Sequence, residues 1–286
     1  MTHVGIMQGR LTPPYEGRFQ CFPTDHWRLE FAAAAEAGLQ SIEWIFDSFG
    51  LNANPLASDA GLEEIQVLAD RHGVAVRSTC ADYFMDFPLV RASSAELEAR
   101  LEVLAGLIRR CGQLGMERIV LPFVDASRID TAKDVDDVVA VLRDALGQAD
   151  EAGVELHLET SLAPGPFARL LDRLPHDALK VNYDSGNSAS LGYDVREEFQ
   201  AYGMRVGSVH IKDRTLGGGT VALGRGHVDF PGLWESLKRV DYRGDFILQV
   251  ARGVPGQELD WARLNRSFAV EALTRHGIGS YGSPAS

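Results

Sequence analysis

Eight short apolar, β-branched runs recur along the chain, each followed by a longer stretch of helical periodicity. This alternation restricts the fold more than any other feature of the sequence. It is the pattern that parallel strands covered by crossover helices produce. The strand candidates are residues 4–7, 41–46, 75–79, 119–123, 155–159, 179–183, 206–211 and 246–250. The helices between and after them are predicted over 27–36, 62–72, 95–114, 135–152, 166–173, 195–202, 231–239 and 259–276. Four of these helices end in Glu36-Ala37-Gly38, His72-Gly73, Leu114-Gly115 and Glu151-Ala152-Gly153. Glycine there can take the left-handed conformation that satisfies the last carbonyls of a helix.

An open doubly wound sheet would give the same alternation, but eight strands is the closure number of a barrel. The expected fold class is therefore α/β, a single (β/α)8 TIM barrel, with residues 1–278 as one domain and 279–286 as a loose C-terminal tail. A composition of 45% hydrophobic and 24% charged residues is ample for a large core. The net charge of -12, with no long Lys/Arg cluster, disfavours nucleic acid and points to a small-molecule partner. Cys21, Cys80 and Cys111 are odd in number and widely spaced, which fits a reducing, cytoplasmic compartment better than a disulfide framework. No basic leader, and no apolar run of the length a membrane span needs, is visible, so neither a signal peptide nor a membrane span is expected.

In a parallel barrel the C-terminal strand ends converge on one mouth. Four successive ends carry His157-Leu158-Glu159-Thr160, Asn182-Tyr183-Asp184-Ser185, Val209-His210-Ile211 and Leu248-Gln249-Val250. Two carboxylates, an imidazole and an amide suit a divalent ion such as Mn²⁺, Mg²⁺, Zn²⁺ or Co²⁺, and the lack of thiolate points to an open, catalytic site. Singly, Glu159 could be an ion-pair partner, Asp184 a turn cap and His210 a hydrogen-bonded core residue; together at four strand ends they argue for a site.

At these residues the chain resembles the sugar phosphate isomerase/epimerase superfamily, which shares the barrel of xylose isomerase and endonuclease IV. The likeness is strongest in Val181-Asn182-Tyr183-Asp184-Ser185-Gly186-Asn187, in Ser208-Val209-His210-Ile211-Lys212-Asp213 and in Leu223-Gly224-Arg225-Gly226-His227-Val228-Asp229-Phe230. The segments Gly5-Ile6-Met7-Gln8-Gly9-Arg10-Leu11 and Ser41-Ile42-Glu43-Trp44-Ile45-Phe46-Asp47 resemble a bacterial subgroup. The resemblance implies a metal held by Glu159, Asp184, His210 and position 249, where the family's ketose epimerases carry Glu and this chain carries Gln249. An amide oxygen can still coordinate a hard cation, but it cannot take a proton.

The implied activity is isomerisation or epimerisation of a sugar, sugar phosphate or related polyol through a metal-stabilised enediolate, with Glu159 as the catalytic base. Carbon-3 epimerisation uses a base on each face, whereas aldose–ketose isomerisation can use one, so Gln249 ranks isomerisation slightly first. A carboxylate such as Glu43, Asp82 or Asp213 would restore a second base. Competing readings are a dehydratase or lyase on a polyhydroxylated acid or cyclitol, and a degenerate sugar-binding barrel; only 8 His disfavour an endonuclease IV-like trinuclear site. Related barrels form homodimers or homotetramers, though nothing in this sequence specifies an interface.

Around the mouth, Arg10, Glu43, Asp82, Asn187, Lys212, Arg214 and Arg225 are the candidate substrate-binding residues, the cations for a phosphate or carboxylate. Glu43 is also placed to orient His210. Trp44, Phe46, Tyr83 and Phe84 are read as sugar-ring walls or as core. Gly217-Gly218-Gly219 and Gly224-Arg225-Gly226 suggest a flexible lid, and neither matches a nucleotide-binding fingerprint.

Overall fold

The computed structural model describes residues 3–279, so the expected tail lies, from residue 280 onward, outside the described residues. Its strands are β1 (Val4–Met7), β2 (Ser41–Ile45), β3 (Ala75–Cys80), β4 (Arg118–Phe123), β5 (Glu155–Thr160), β6 (Leu179–Asp184) and β7 (Val206–Ile211). A short excursion follows, β8 (Asp213–Arg214) and β9 (Thr220–Val221), and then β10 (Asp245–Leu248). All but β8 and β9 form a closed parallel barrel in the order β1-β10-β7-β6-β5-β4-β3-β2. The (β/α)8 reading holds.

The helices are α1 (Leu29–Glu36), α2 (Asp59–His72), α3 (Tyr83–Asp86), α4 (Ser94–Leu114), α5 (Ala132–Ala152), α6 (Pro164–Asp172), α7 (Ser185–Leu191), α8 (Val195–Tyr202), α9 (Phe230–Arg239) and α10 (Glu258–His276). The four predicted glycines have positive φ: Gly38 73°, Gly73 64°, Gly115 74° and Gly153 69°. Capping boxes at Ser93/Glu96 and Thr131/Asp134 satisfy the first amides of α4 and α5, the two longest helices. Three elements escaped the periodicity. Helices α3 and α7, of 4 and 7 residues, are too short to show an apolar stripe, and the β8–β9 hairpin has two residues per strand.

One face of each strand packs outward under the helices, with Ile42, Trp44, Val209 and Ile211 fully buried beside Phe31, Ile65 and Leu237. The inward face is polar on β2, β3, β5, β6 and β7, where Glu43, Ser78, His157, Glu159, Asn182, Ser208 and His210 bond one another inside the barrel. Below them Asp245 accepts from Arg118 (2.6 Å) and Arg77 (3.2 Å). A barrel axis lined this way needs its polar groups paired, and these hydrogen bonds pair most of them, with His210 Nδ1 and Arg118 Nε left over. No helix among the described residues is long and apolar enough to cross a membrane, and Cys21, Cys80 and Cys111 are buried free thiols.

Candidate active site

The strands deliver Glu159, Asp184 and His210 to one point, and an oxygen or nitrogen of each lies within 4.8 Å of the others. Asp184 and His210 are register partners on β6 and β7. His210 is wholly enclosed. Its Nε2 meets Glu43 Oε1 at 2.6 Å, and Glu43 Oε2 accepts from Ser78 at 2.6 Å. Its other nitrogen, Nδ1, has no hydrogen bond among the described residues and points to Glu159 Oε2 at 3.5 Å. Glu159 accepts from Asn182 Nδ2 (2.9 Å) and Asn187 Nδ2 (2.5 Å), so two amides aim its carboxylate. Asp184 uses Oδ1 to cap α7 through Asn187 N–H (2.8 Å) and turns Oδ2 toward Lys212.

On the far side, Lys212 Nζ donates to Gln249 Oε1 (3.0 Å) and Asp184 Oδ2 (3.3 Å). Gln249 in turn donates from Nε2 to Gln20 Oε1 (3.1 Å), and Gln20 donates from its own Nε2 to Asp82 Oδ2 (2.7 Å). This chain of bonds fixes the Gln249 amide with its oxygen toward the cluster. Gly186 permits it: a Cβ there would lie 2.7 Å from Lys212 Cγ, so only glycine lets the β6–α7 turn close over that side chain.

The remaining candidates divide. Arg214 donates to Asn187 Oδ1 (2.8 Å) and to Gly218 O, and so reaches the site through Asn187. Arg10 is buried and spent on Val250 O, Phe19 O and Gln20 Oε1, so it braces the loops instead of offering a free guanidinium. Glu43 is 0% exposed with both oxygens engaged, which corrects its placement at the substrate: it holds His210. Asp213 accepts from Gly226 N–H and Val228 N–H and ties down the loop before α9. Arg225 sits exposed on that loop. Trp44, Phe46 and Phe84 belong to the core, and the half-buried Tyr83 packs on Phe46, ring centres 5.8 Å apart. The glycine hairpin is pinned by Gly217 N–H to Ser190 O (2.8 Å) and by Arg214 on Gly218 O, an anchored flap and not a loose lid. Gln20 and Asn182 were not singled out from sequence; Gln20 lies in a loop without periodicity, though Asn182 stands two residues before Asp184, on the same face of β6.

The electrostatics favour a cation. Burial, with Asp184 adding to it, pushes Glu159 up to about 7. Burial alone would lower His210, but the charges of Glu43, Glu159 and Asp184 raise it to about 9. Both shifts report an excess of negative charge in a dry place, which protons or a metal relieve. A free, enclosed imidazole nitrogen aimed at two carboxylates, its other nitrogen held by a third, is a donor set that fits a divalent ion. Glu159, Asp184 and His210 can hold it, with Gln249 Oε1 beside them.

These features define a barrel with a carboxylate–imidazole centre at its C-terminal mouth. Residues 31–268 match the xylose isomerase-like TIM barrel family, and the chain belongs to it. It is 28% identical over 219 residues to the L-ribulose-5-phosphate 3-epimerase UlaE of Shigella flexneri, covering 70% of this chain and 76% of that one. Its fold is similar to that of D-psicose 3-epimerase from Clostridium cellulolyticum, solved with D-tagatose (TM-score 0.75, 16% identity, 95% and 99% of the two chains). It is likewise similar to the IolI protein solved with a binding zinc atom (TM-score 0.75, 15% identity, 96% and 99%).

Proposed function

We propose that the protein is a divalent-cation-dependent sugar isomerase/epimerase, acting as an epimerase on a ketose or ketose phosphate. The observation that carries this reading is the His210 imidazole, with Nε2 held by Glu43 and Nδ1 left free toward Glu159 and Asp184. The epimerase names of its relatives support inversion over the aldose–ketose shift that Gln249 alone favours. A cation at Glu159, Asp184, His210 and Gln249 would supply positive charge to oxygens that become anionic when a carbon-bound proton leaves. Glu159, aimed by Asn182 and Asn187, takes that proton. Lys212 donates to a substrate oxygen at the mouth, and Arg225 on the β9–α9 loop meets a phosphate where the substrate carries one.

The test is exchange of carbon-bound hydrogen with D₂O in ketoses and ketose 5-phosphates, with Mn²⁺, Mg²⁺, Zn²⁺ or Co²⁺ supplied in turn. Cation-dependent exchange with appearance of the epimer supports the reading. Loss of water from the sugar would move the protein to the dehydratases.

A further inference from the structure

Inverting one carbon needs a proton taken from one face and another given to the opposite face, and Gln249 can do neither. Three carboxylates stood in the sequence as replacements, and the structure separates them. Glu43 is enclosed between His210 and Ser78. Asp213 is consumed by two backbone amides. Asp82 is half-buried at the end of β3, four strands around the barrel from β7, and so across the mouth from His210 and Lys212. Gln20, which holds its Oδ2, comes from the loop after β1, four strands from the β5 that carries Glu159. Asp82 itself stands two strands from β5; its Oδ1 accepts from the Cys80 thiol (3.1 Å), and its Oδ2 is tied through Gln20 to Gln249 on the β10 side of the mouth.

We propose, resting on the epimerase reading above, that Asp82 is the second proton-transferring residue, acting on the substrate face opposite Glu159, with Gln20 and Gln249 positioning it. Gln at 249 then has a reason. Gln20 donates its N–H to Asp82 while its Oε1 accepts from Arg10 and from Gln249, and the second of these donors is one that an amide at 249 provides and a carboxylate does not. The negative charge missing from 249 stands one hydrogen-bonded residue further on, at Asp82. Burial also raises the Asp82 carboxyl above its ordinary range, against the Gln20 and Cys80 donors that lower it. In the step, Glu159 as carboxylate takes the proton at carbon-3; the C–H pair forms the enediol double bond and the carbonyl pair moves to oxygen. Asp82 as acid then gives its proton to the other face, the oxygen pair re-forms the carbonyl, and Asp82 is left as carboxylate. Water restores both groups.

The experiment uses the full chain with its cation, in D₂O, on two pairs: L-ribulose 5-phosphate with its carbon-3 epimer, and D-psicose with its carbon-3 epimer. Asp82→Asn is expected to bind the cation as the parent does and to lose net epimerisation by roughly 10²-fold or more. It is expected to keep deuterium exchange in the epimer that Glu159 deprotonates while losing it in the other. A merely structural role would weaken both directions alike. Unchanged inversion, symmetric loss of exchange, or the one-sided pattern in Lys212→Gln instead would overturn the role of Asp82 and leave the epimerase reading intact. Absence of exchange in the parent with both pairs would overturn that reading and this inference together.

Discussion

His210 is the residue on which the site turns, because its two nitrogens face different partners. Glu43 Oε1 at 2.6 Å fixes the ring so that Nδ1 points into the cluster, and Ser78 fixes Glu43. Replacing such a partner of a metal-binding histidine typically weakens metal affinity about 10–100-fold. Glu43→Gln is therefore expected to bind Mn²⁺ or Zn²⁺ less tightly by about that factor, as titration calorimetry will register, without loss of fold. Affinity equal to the parent's would mean that His210 is oriented by other contacts. The convergence of Glu159, Asp184 and His210 was legible in sequence because a parallel barrel brings every strand end to one mouth. The direction of each side chain's hydrogen bonds was not. Gln20 and Gln249 meet across 229 positions of sequence, and nothing local marks Gln20 as a partner. Arg10 was a substrate-binding candidate beside the first strand, yet the carbonyls of Val250, far along the chain, and of nearby Phe19 take up its donors.

At the scale of elements, the long helices and the barrel strands carry apolar periodicity and glycine caps, so they could be placed within a few residues from sequence. The elements that shape the mouth carry none. Helix α7 owes its place to Asp184, which caps it, and to Gly186, which lets it approach Lys212. Beneath it, Glu198 on α8 accepts from Tyr183 and Tyr202 at 2.9 and 2.8 Å and also bonds Ser188, a buried anchor for the turn. Gly186→Ala would push a methyl against Lys212 Cβ and Cγ, at 3.0 and 2.7 Å, in a place where Gly186 and Lys212 are both buried. Overpacking of this kind costs about 1–3 kcal/mol. Thermal unfolding of the variant should show that loss, and a melting temperature equal to the parent's would mean the turn has slack.

For the whole molecule, barrel closure depends on the β1–β10 and β10–β7 seams, and at their lower end Asp245 gathers Arg118, Arg77 and the His3 amide. Burial opposes the Asp245 charge, but Arg118 and Arg77 hold its carboxyl below the ordinary 3.8. A carboxyl lowered on folding contributes stability that is present above its unfolded value and is lost as pH falls through the folded one. The parent should therefore lose stability below about pH 4 more steeply than Asp245→Asn. At neutral pH the same substitution leaves the buried Arg118 with only its longer contact to Glu117 (3.4 Å), a loss of up to about 3–5 kcal/mol. Denaturant unfolding at neutral and acid pH checks both; equal stability of the two proteins at neutral pH would show that Arg118 finds another acceptor.

The central claim is a divalent cation at the mouth, and its most direct measurement is the bound-metal stoichiometry of the parent and of His210→Ala under the same conditions. One Mn²⁺, Mg²⁺, Zn²⁺ or Co²⁺ per chain in the parent, lost in a His210→Ala protein that still unfolds cooperatively, is the result predicted here. A parent that binds none of them, or a variant that keeps the metal, would contradict it and leave a barrel that recognises its sugar without one.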